Sequence, residues 1–393
     1  MKTSFRSSIL LRNRRDFLNI TANRLELLHA VKRAAAVTPS NSPLEVLQAV
    51  LLETDAAGTA LVLTATNLEV ILKQKVPCTA REKGALAIGA QLLAGMLEKL
   101  PGDTVELLRN DGETRLTIRS GESKYEVSVW ERSSYPKLNL STVRGAVPVS
   151  GIPSMAKRTV FATDQSNGPK PMLKCVHLMF TQSGLKAAGS DGTCVVTAEC
   201  DNQCTGDFSV LIPAASLEQL SHMCGDKDEF RVGTEDKQIV FCREGFLFIA
   251  RLIEETYIDT GSLVGSLKNQ FTVLTDVADL KKSLISAACV DPAGKVRLSF
   301  EGMLLTFQCE GPYGSGCGTA NVIPLTGAPQ GEYWYLTKRL TACLQSLSGT
   351  ATLGIAQGGM LTLSTENAFY MQTGVRPSEP SAKTAGKKTK KAA

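Results

Sequence analysis

The sequence predicts an α+β protein in which one plan of two helices and antiparallel strands occurs three times. The main observation is a pattern of strand, helix, strands, helix and strands that recurs at a spacing of about 125 residues. A second observation is the length of 393 residues with 43% apolar residues. A chain of this length and composition can build two to four domains with cores of their own.

The first helix of each repeat combines apolar residues at helical spacing with two adjacent cationic residues. The three segments are residues 24–36, 154–163 and 279–288, and their cation pairs are Lys32/Arg33, Lys157/Arg158 and Lys281/Lys282. The buried stripe of the first segment is predicted to consist of Leu25, Leu28, Val31 and Ala35. This stripe leaves Lys32 and Arg33 toward the other face of the helix.

The second helix of each repeat ends at a helix breaker. The three segments are residues 90–100, 214–224 and 336–347, followed by Pro101, Gly225 and Gly349. Alternating strands with turn residues follow each segment, as in a β-hairpin. Linkers between the repeats are predicted near residues 141–147 and 261–268.

Both ends of the chain are basic, with a net charge of about +4 in residues 1–16 and about +4 in residues 377–393. The formal charge of +5 therefore leaves about 5 − 8 = −3 for the body between them. The body is not a generally basic nucleic-acid binder. Residues 1–16 are interpreted as a disordered arm or the product of an upstream start codon. The Lys-rich tail, residues 377–393, is predicted to be disordered, and it either attracts DNA or only solubilises the chain.

The eleven cysteines are mostly scattered singly, as is typical of reduced thiols. Cys200 and Cys204 form a lone C-x3-C, and the three histidines lie far apart, so no metal site or catalytic group is predicted. The enzyme alternative, a cysteine-dependent hydrolase, lacks a recognisable Cys, His and acid set. No apolar run is long enough to span a membrane. We expect a cytoplasmic protein that is not an enzyme and needs no cofactor.

A series of segments in this order resembles the beta sliding clamp of bacterial DNA polymerase III. They are LTATNLEV (63–70), IGAQLLAGMLEKLP, RLTIRSGESKYEV, YPKL, SDGTCVV (190–196), IPAASLEQL and AFYMQTGVR (368–376). Each motif alone is unspecific, whereas their order and spacing extend the resemblance from about Phe17 to Arg376. The resemblance implies three tandem DNA-clamp domains in residues 17–143, 144–265 and 266–376. It also implies a head-to-tail homodimer ring with helices lining a central hole.

The function implied by the resemblance is that of a processivity factor, which encircles duplex DNA and tethers the replicative polymerase. The implied partners are double-stranded DNA of any sequence, the DNA polymerase III alpha subunit, the clamp loader, other proteins with clamp-binding peptides, and a second copy of the chain. The alternative is a clamp-fold binding scaffold, or a specialised paralogue, that does not close on DNA.

The resemblance also implies three sets of site residues. The predicted DNA contacts are Lys32, Arg33, Lys157, Arg158, Lys170, Lys281 and Lys282. The predicted pocket for partner peptides comprises Leu173, Ser190, Gly192, Val195, Ile258, Leu263, Arg339, Met371, Thr373, Val375 and Arg376. The predicted dimer interface comprises Tyr125 and Val127 against Cys289 and Val290. The alternatives are solvated helix faces for the cations and ordinary core positions for several of the others.

The sequence departs from the family pattern at four positions. Asn41 stands where many clamps have an arginine that touches DNA, and Gly374 replaces a usual proline near the C-terminus. Arg339 replaces a frequent tyrosine of the pocket, and Ile258 stands where a proline is common. The last three changes either alter which partner peptides bind or indicate that the chain serves a divergent replisome, and they do not argue against the fold.

Overall fold

The computed structural model of the chain describes residues 17–110, 113–138, 146–166, 168–200, 204 and 206–377. The predicted N-terminal extension and the tail after Pro377 lie outside the described residues, as does most of the linker predicted near 141–147. The chain forms two compact units. Among the described residues, unit 1 contains 17–156, 175–186 and 200–257, and unit 2 contains 157–174, 187–199 and 258–377. The division into three domains stays a prediction.

Seven α-helices lie in the described part of the chain. They are α1 (Arg24–Val37), α2 (Ala90–Lys99), α3 (Ile152–Thr159), α4 (Ala214–Ser221), α5 (Thr260–Ser266), α6 (Val277–Ala288) and α7 (Thr337–Ser346). All except α5 lie where periodicity predicts the two helices of each repeat. The segment containing α5 was expected to be a linker, and it is helical because Asp259 caps it, accepting a hydrogen bond from the Ser262 amide at 3.0 Å.

The β-strands of the described residues are, in chain order, β1 (Leu18–Asn23), β2 (Ala49–Thr54), β3 (Ala60–Thr66), β4 (Val70–Glu82), β5 (Ala85–Gly89), β6 (Thr104–Arg109), β7 (Arg115–Ser120), β8 (Ser123–Ser128), β9 (Trp130–Glu131), β10 (Val147–Val149), β11 (Cys175–Thr181), β12 (Gly184–Ser190), β13 (Cys194–Cys200), β14 (Phe208–Pro213), β15 (Phe230–Glu235), β16 (Gln238–Arg243), β17 (Phe246–Arg251), β18 (Asn269–Asp276), β19 (Lys295–Glu301), β20 (Leu304–Gly311), β21 (Gly314–Asn321), β22 (Ile323–Thr326), β23 (Gln330–Leu336), β24 (Thr350–Ala356), β25 (Met360–Thr365) and β26 (Ala368–Gln372).

Helix α1 begins at a side-chain cap, because Asn23 accepts hydrogen bonds from the amides of Leu25 and Glu26. Its buried residues are Leu27, Leu28, Ala30, Val31, Ala34, Ala35 and Val37. The expectation that Leu25 belongs to the buried stripe is wrong, since this side chain is 48% exposed. Seven residues make almost two whole turns, so Leu25 lies in line with the exposed Lys32 rather than with Leu28.

Unit 1 is organised around a 13-stranded sheet, whose longest path runs β10-β15-β16-β17-β4-β1-β6-β7-β8. Strand β4 has 13 residues and pairs with β3 over residues 71–77. Its first residues also pair with β17, and its last residues pair with β1. Helix α1 lies against this sheet, where buried Gln74 of β4 donates a hydrogen bond to the Ala30 carbonyl at 2.6 Å.

Unit 2 contains two antiparallel sets of strands and one continuous apolar core. The first set runs β13-β26-β25-β24-β18-β22, and the second runs β21-β20-β19-β23. The largest side chains of the core include Tyr335, Phe307 and Tyr370. The hydroxyls of both buried tyrosines are hydrogen-bonded: Tyr335 donates to the Gly359 carbonyl at 2.8 Å, and Tyr370 donates to the Gln372 side-chain oxygen at 2.6 Å.

Helix α6 packs directly on the backbone of β21. A Cβ atom on Gly316 would overlap the carbonyl oxygen of Ala287, and one on Gly318 would overlap that of Ser283. Neither glycine has a positive φ, so glycine is not required here for its backbone conformation. It is required because any side chain would collide with the helix. The alternate glycines of GSGCG therefore set the distance between helix and strand.

Substitution of Gly316 by alanine is expected to displace α6 from β21. The added methyl group should lower the free energy of unfolding by about 1–3 kcal/mol, the usual effect of overpacking a tight contact. Urea denaturation followed by circular dichroism measures this change. The matched control is Ser315→Ala, at an exposed neighbour on the same strand. Equal stability of the two variants would contradict the assigned role of Gly316.

Candidate functional site

The predicted DNA contact Lys32 already has a partner in unit 1. Its ammonium lies 2.7 Å from a carboxylate oxygen of Glu98 on α2, and both side chains are about half exposed. This hydrogen bond and the charge of Lys32 lower the pKa of Glu98, which favours its ionised carboxylate. Arg33, the next residue, is half-buried. DNA would have to compete with Glu98 for Lys32.

The other predicted cations differ in exposure. Lys157, Lys170 and Lys282 are exposed, whereas Arg158 and Lys281 are half-buried. Arg158 donates a long hydrogen bond of 3.4 Å to the carbonyl of Glu199. Asn41, where an arginine was expected from the family pattern, is an exposed loop residue after α1.

The seven described helices carry an excess of cations. The exposed helical cations are Lys32, Lys99, Lys157, Lys282 and Lys338, and the exposed helical acids are Glu26, Glu98, Glu218 and Asp279. The half-buried helical residues add five more cations, Arg24, Arg33, Arg158, Lys281 and Arg339, so the net charge is 10 − 4 = +6. The predicted cation pairs did not include Lys99 and Lys338, because both lie in the second helices of the repeats. An excess of this kind attracts phosphate without reading base sequence.

The predicted peptide pocket centres on the turn between β12 and β13 in unit 2. Buried Ser190 donates from its hydroxyl to the Cys194 carbonyl at 2.8 Å and accepts from the Gly192 amide at 3.0 Å. Gly192 has φ of +90°, a conformation that favours glycine. A Cβ atom built on Gly192 would lie 3.9 Å from Leu173 Cδ1, which places the predicted residue Leu173 beside this turn.

Asp191 fixes the turn from within. Its Oδ1 atom accepts hydrogen bonds from the Thr193 amide at 2.8 Å, the Cys194 amide at 2.9 Å and the Thr193 hydroxyl at 3.0 Å. Its Oδ2 atom forms an ion pair with Arg339 of α7, and Arg339 also donates to the Thr193 hydroxyl. Asp191 and Thr193 were not among the residues predicted for the pocket. The Asp-Gly pair inside SDGT is the signal for such a turn.

Strand pairing brings further predicted pocket residues to the same place. Val195 of β13 lies opposite Met371 of β26, and the Thr373 amide donates to the Thr193 carbonyl at 2.9 Å. Leu173, Val195 and Met371 are buried and provide an apolar floor. Beyond β26, Val375 donates from its amide to the Trp334 carbonyl at 2.8 Å, and the Arg376 carbonyl accepts from Lys295 at 3.0 Å.

Two predicted pocket residues are not tied to this turn. Ile258 is half-buried just before α5, and Leu263 is 38% exposed on α5. Within the described ranges, no hydrogen bond or ion pair joins either residue to the turn after Ser190.

Of the predicted interface residues, Tyr125 and Val127 lie on the edge strand of a sheet, and Cys289 and Val290 directly follow α6. In unit 1, β8 ends the path of the large sheet, with Tyr125 half-buried and Val127 8% exposed. In unit 2, β21 ends the four-stranded path. Cys289 at the end of α6 is exposed, whereas Val290 packs partly against the core.

Two exposed apolar residues near β21 were missed by the sequence analysis. Ile285 on α6 is 48% exposed, and Tyr313 in the turn between β20 and β21 is 100% exposed. The base of this hairpin lies against the end of α6, because a Cβ atom on Gly311 would lie 2.5 Å from the Val290 carbonyl oxygen. Their spacing in sequence gives no sign that the two residues belong to one edge.

The thiols of Cys194 and Cys175 are unreactive. Burial, followed by the nearby Asp191 charge, raises the pKa of Cys194 to about 12, and burial raises the pKa of Cys175 to about 11. Neither is a reactive thiolate at neutral pH.

No group of three or more His, Cys, Asp or Glu residues is placed to hold a metal ion in the described part of the chain. None of its helices combines the length and the apolar character needed to cross a membrane.

The contacts of Asp191 and Arg339 predict different costs for removing each side chain. Asp191→Ala leaves the turn amides without their acceptor and should lower the free energy of unfolding by about 2–4 kcal/mol. Arg339→Ala leaves Asp191 with its turn bonds and should cost only about 1–2 kcal/mol. Urea denaturation of the two variants and of their double mutant measures both values and their coupling. An Arg339→Ala variant less stable than Asp191→Ala would show that the turn depends on the ion pair.

Comparisons with known proteins identify the family that the segments resemble. Residues 18–139 match the model of the DNA polymerase III beta subunit, N-terminal domain. The beta sliding clamp of Chlamydia pneumoniae is 25% identical over 256 residues, which cover 64% of this chain and 69% of the relative. The beta sliding clamp of Synechococcus elongatus is 26% identical over 279 residues, covering 69% of this chain and 72% of the relative.

Solved structures have the same fold over nearly the whole chain. The DNA polymerase sliding clamp of Bacillus subtilis matches with a TM-score of 0.82 at 18% identity, covering 92% of this chain and 100% of that chain. The sliding clamp of Pseudomonas aeruginosa bound to griselimycin matches with a TM-score of 0.81 at 20% identity and the same coverage. The resemblance found in the sequence is thus confirmed: this chain is similar in sequence to bacterial beta sliding clamps and has the fold of the solved sliding clamps.

Proposed function

We propose that this chain is a DNA sliding clamp, of which two copies close head to tail around duplex DNA and tether a replicative polymerase to it. The observation that carries the proposal is the sliding-clamp fold over 92% of the chain, together with the family match of residues 18–139. The protein acts in the cytoplasm as a non-catalytic subunit, with polymerase and clamp loader as its partners. The alternative is a clamp-fold scaffold that stays open.

The charge distribution supports encirclement with contacts from the helices. The body carries a net charge of about −3, whereas the described helices carry +6, which leaves about −3 − 6 = −9 for the rest of the body. Sequence-independent DNA affinity comes mainly from cations that neutralise phosphates, so helices that line a hole attract duplex DNA and the rest of the body does not. The helix cations then act as contacts that read no base sequence and permit sliding.

Two free sheet edges support closure of the ring. Unpaired edge strands are usually blocked or covered, because they template aggregation. In this proposal β8 of one copy pairs with β21 of the other. The exposed Ile285, Cys289 and Tyr313 near β21 then become buried, and a head-to-tail contact of this kind forms a closed ring when the rotation between copies permits.

The turn after Ser190 and the adjacent end of β26 form the surface proposed for partner peptides. Its apolar floor of Leu173, Val195 and Met371 suits short peptides with apolar anchors. The DNA polymerase III alpha subunit, the clamp loader and other clamp-binding proteins are proposed to use it in turn.

Reversing the charges of Lys157 and Arg158 tests the DNA contact. The double variant Lys157→Glu and Arg158→Glu should be retained on nicked circular DNA for a shorter time while remaining dimeric, because repulsion from phosphate replaces attraction. Gel filtration of clamp loaded on circular and on linearised DNA measures retention. The charge-matched control is Arg81→Glu with Arg231→Glu, two exposed strand positions of unit 1. Wild-type protein bound equally to circles and linear DNA would favour the open scaffold.

Replacing the fully exposed Tyr313 tests ring closure. Tyr313→Asp places a charge where the partner copy is proposed to bury an aromatic ring, which should weaken dimerisation by at least tenfold. Sedimentation equilibrium measures the dissociation constant. Met303→Asp is the matched control, because Met303 is 64% exposed in the turn at the other end of β20. An unchanged dimer in Tyr313→Asp would place the contact elsewhere.

A further inference from the structure

The guanidinium of Arg339 is held in a fixed position beside the pocket turn. Asp191 forms the ion pair with it, and the Thr193 hydroxyl accepts a second contact. Asp191 is itself immobilised by three hydrogen bonds within the turn. An arginine that is already ordered loses little conformational entropy when it binds a ligand.

The two side chains of the ion pair differ in their exposure to solvent. The Asp191 side chain is 7% exposed, whereas the Arg339 side chain is 29% exposed. A ligand that approaches the turn therefore meets the cation, while the balancing carboxylate lies behind it. A guanidinium has five N–H donors, and the two recorded contacts leave others for an incoming acceptor.

A second acid lies near the turn and has a cation of its own. Hydrogen bonds from Ser166 lower the pKa of Asp164, and the charges of Lys174 and Arg339 lower it further. The Asp164 amide donates to the Leu173 carbonyl at 2.7 Å, so this group lies close to the apolar floor. The two acids Asp164 and Asp191 are thus matched by the two cations Lys174 and Arg339, and Arg339 is the cation held in a fixed position.

We infer that Arg339 determines peptide specificity, by binding a carboxylate of the partner peptide beside the apolar floor. The inference rests on the proposed function of this surface. A carboxylate is the ligand that fits best, because guanidinium and carboxylate form paired, charge-assisted hydrogen bonds. The carboxylate comes either from an Asp or Glu side chain or from the C-terminus of a peptide. A tyrosine, which the family frequently has at this position, offers one neutral donor instead.

Fluorescence anisotropy with matched peptides tests the inference on the full-length protein. The probes are short labelled peptides with two leucine anchors, in which an Asp or an Asn occupies each remaining position in turn. Each peptide is made with a free C-terminal carboxylate and as an amide, which separates the two sources. One carboxylate-bearing member of the set should bind about tenfold more tightly than its neutral analogue. This preference should shrink as salt is raised.

Variants of Arg339 separate specificity from folding. Arg339→Gln leaves Asp191 without its cation, so it is measured together with the double variant Arg339→Gln and Asp191→Asn, in which a neutral amide pair replaces the ion pair. Both should bind acidic and neutral peptides equally, and Arg339→Lys should restore part of the preference because it keeps the charge. Lys338→Gln, an exposed neighbour on α7, removes the same charge and should keep the preference.

Each outcome bears on a different proposal. Equal binding of acidic and neutral peptides by the wild-type protein would overturn the inference and leave the peptide pocket intact. A preference that survives in both Gln variants would also overturn it, since another cation would then be responsible. If no peptide of the set binds the wild-type protein, the proposed pocket fails, and the inference fails with it.

Discussion

Unit 1 depends on a single strand, β4. Residues 71–77 of this 13-residue strand pair with β3 along one edge, and along the other edge the strand pairs first with β17 and then with β1. The pairing to β17 ends at Gln74 and the pairing to β1 begins at Cys78, with Pro77 between them. Proline has no amide hydrogen to contribute to a ladder, so its place at this change of partner is physically reasonable. Segments distant in sequence are joined through this strand, and Gln219 adds a hydrogen bond to the Ala36 carbonyl at 3.3 Å.

The helices and the family resemblance could be read from the sequence because both depend on local patterns. Apolar spacing located α1, α2, α6 and α7, and a cap such as Asn23 acts within a few residues. The same reasoning failed at Leu25, where the choice between two adjacent stripes depends on what lies under the helix. It also failed at α5, a short helix that one capping aspartate starts in a segment of small residues.

The candidate pocket could be predicted only in part, because its decisive contact is not local. Thr193 and Arg339 are 146 residues apart, and their contact depends on the packing of α7 against the turn after β12. The resemblance supplied Arg339 as a position, but it gave neither its partner nor its exposure. The exposed edge near Tyr313 could not be predicted for the same reason, because the order of strands in a sheet, and not a local motif, decides which strand lies at the edge.

The close contact of α6 with β21 has a mechanical consequence for the proposed ring, which would have to open to admit DNA. With no side chains between them, the strand cannot bend or slide without moving the helix, because their backbones touch at Gly316 and Gly318. If two copies pair along this edge as proposed, a force that separates them acts on a stiff two-layer element. Such an element would yield at the seam between copies and not within its own fold, so the opened ring would keep an edge that can close again.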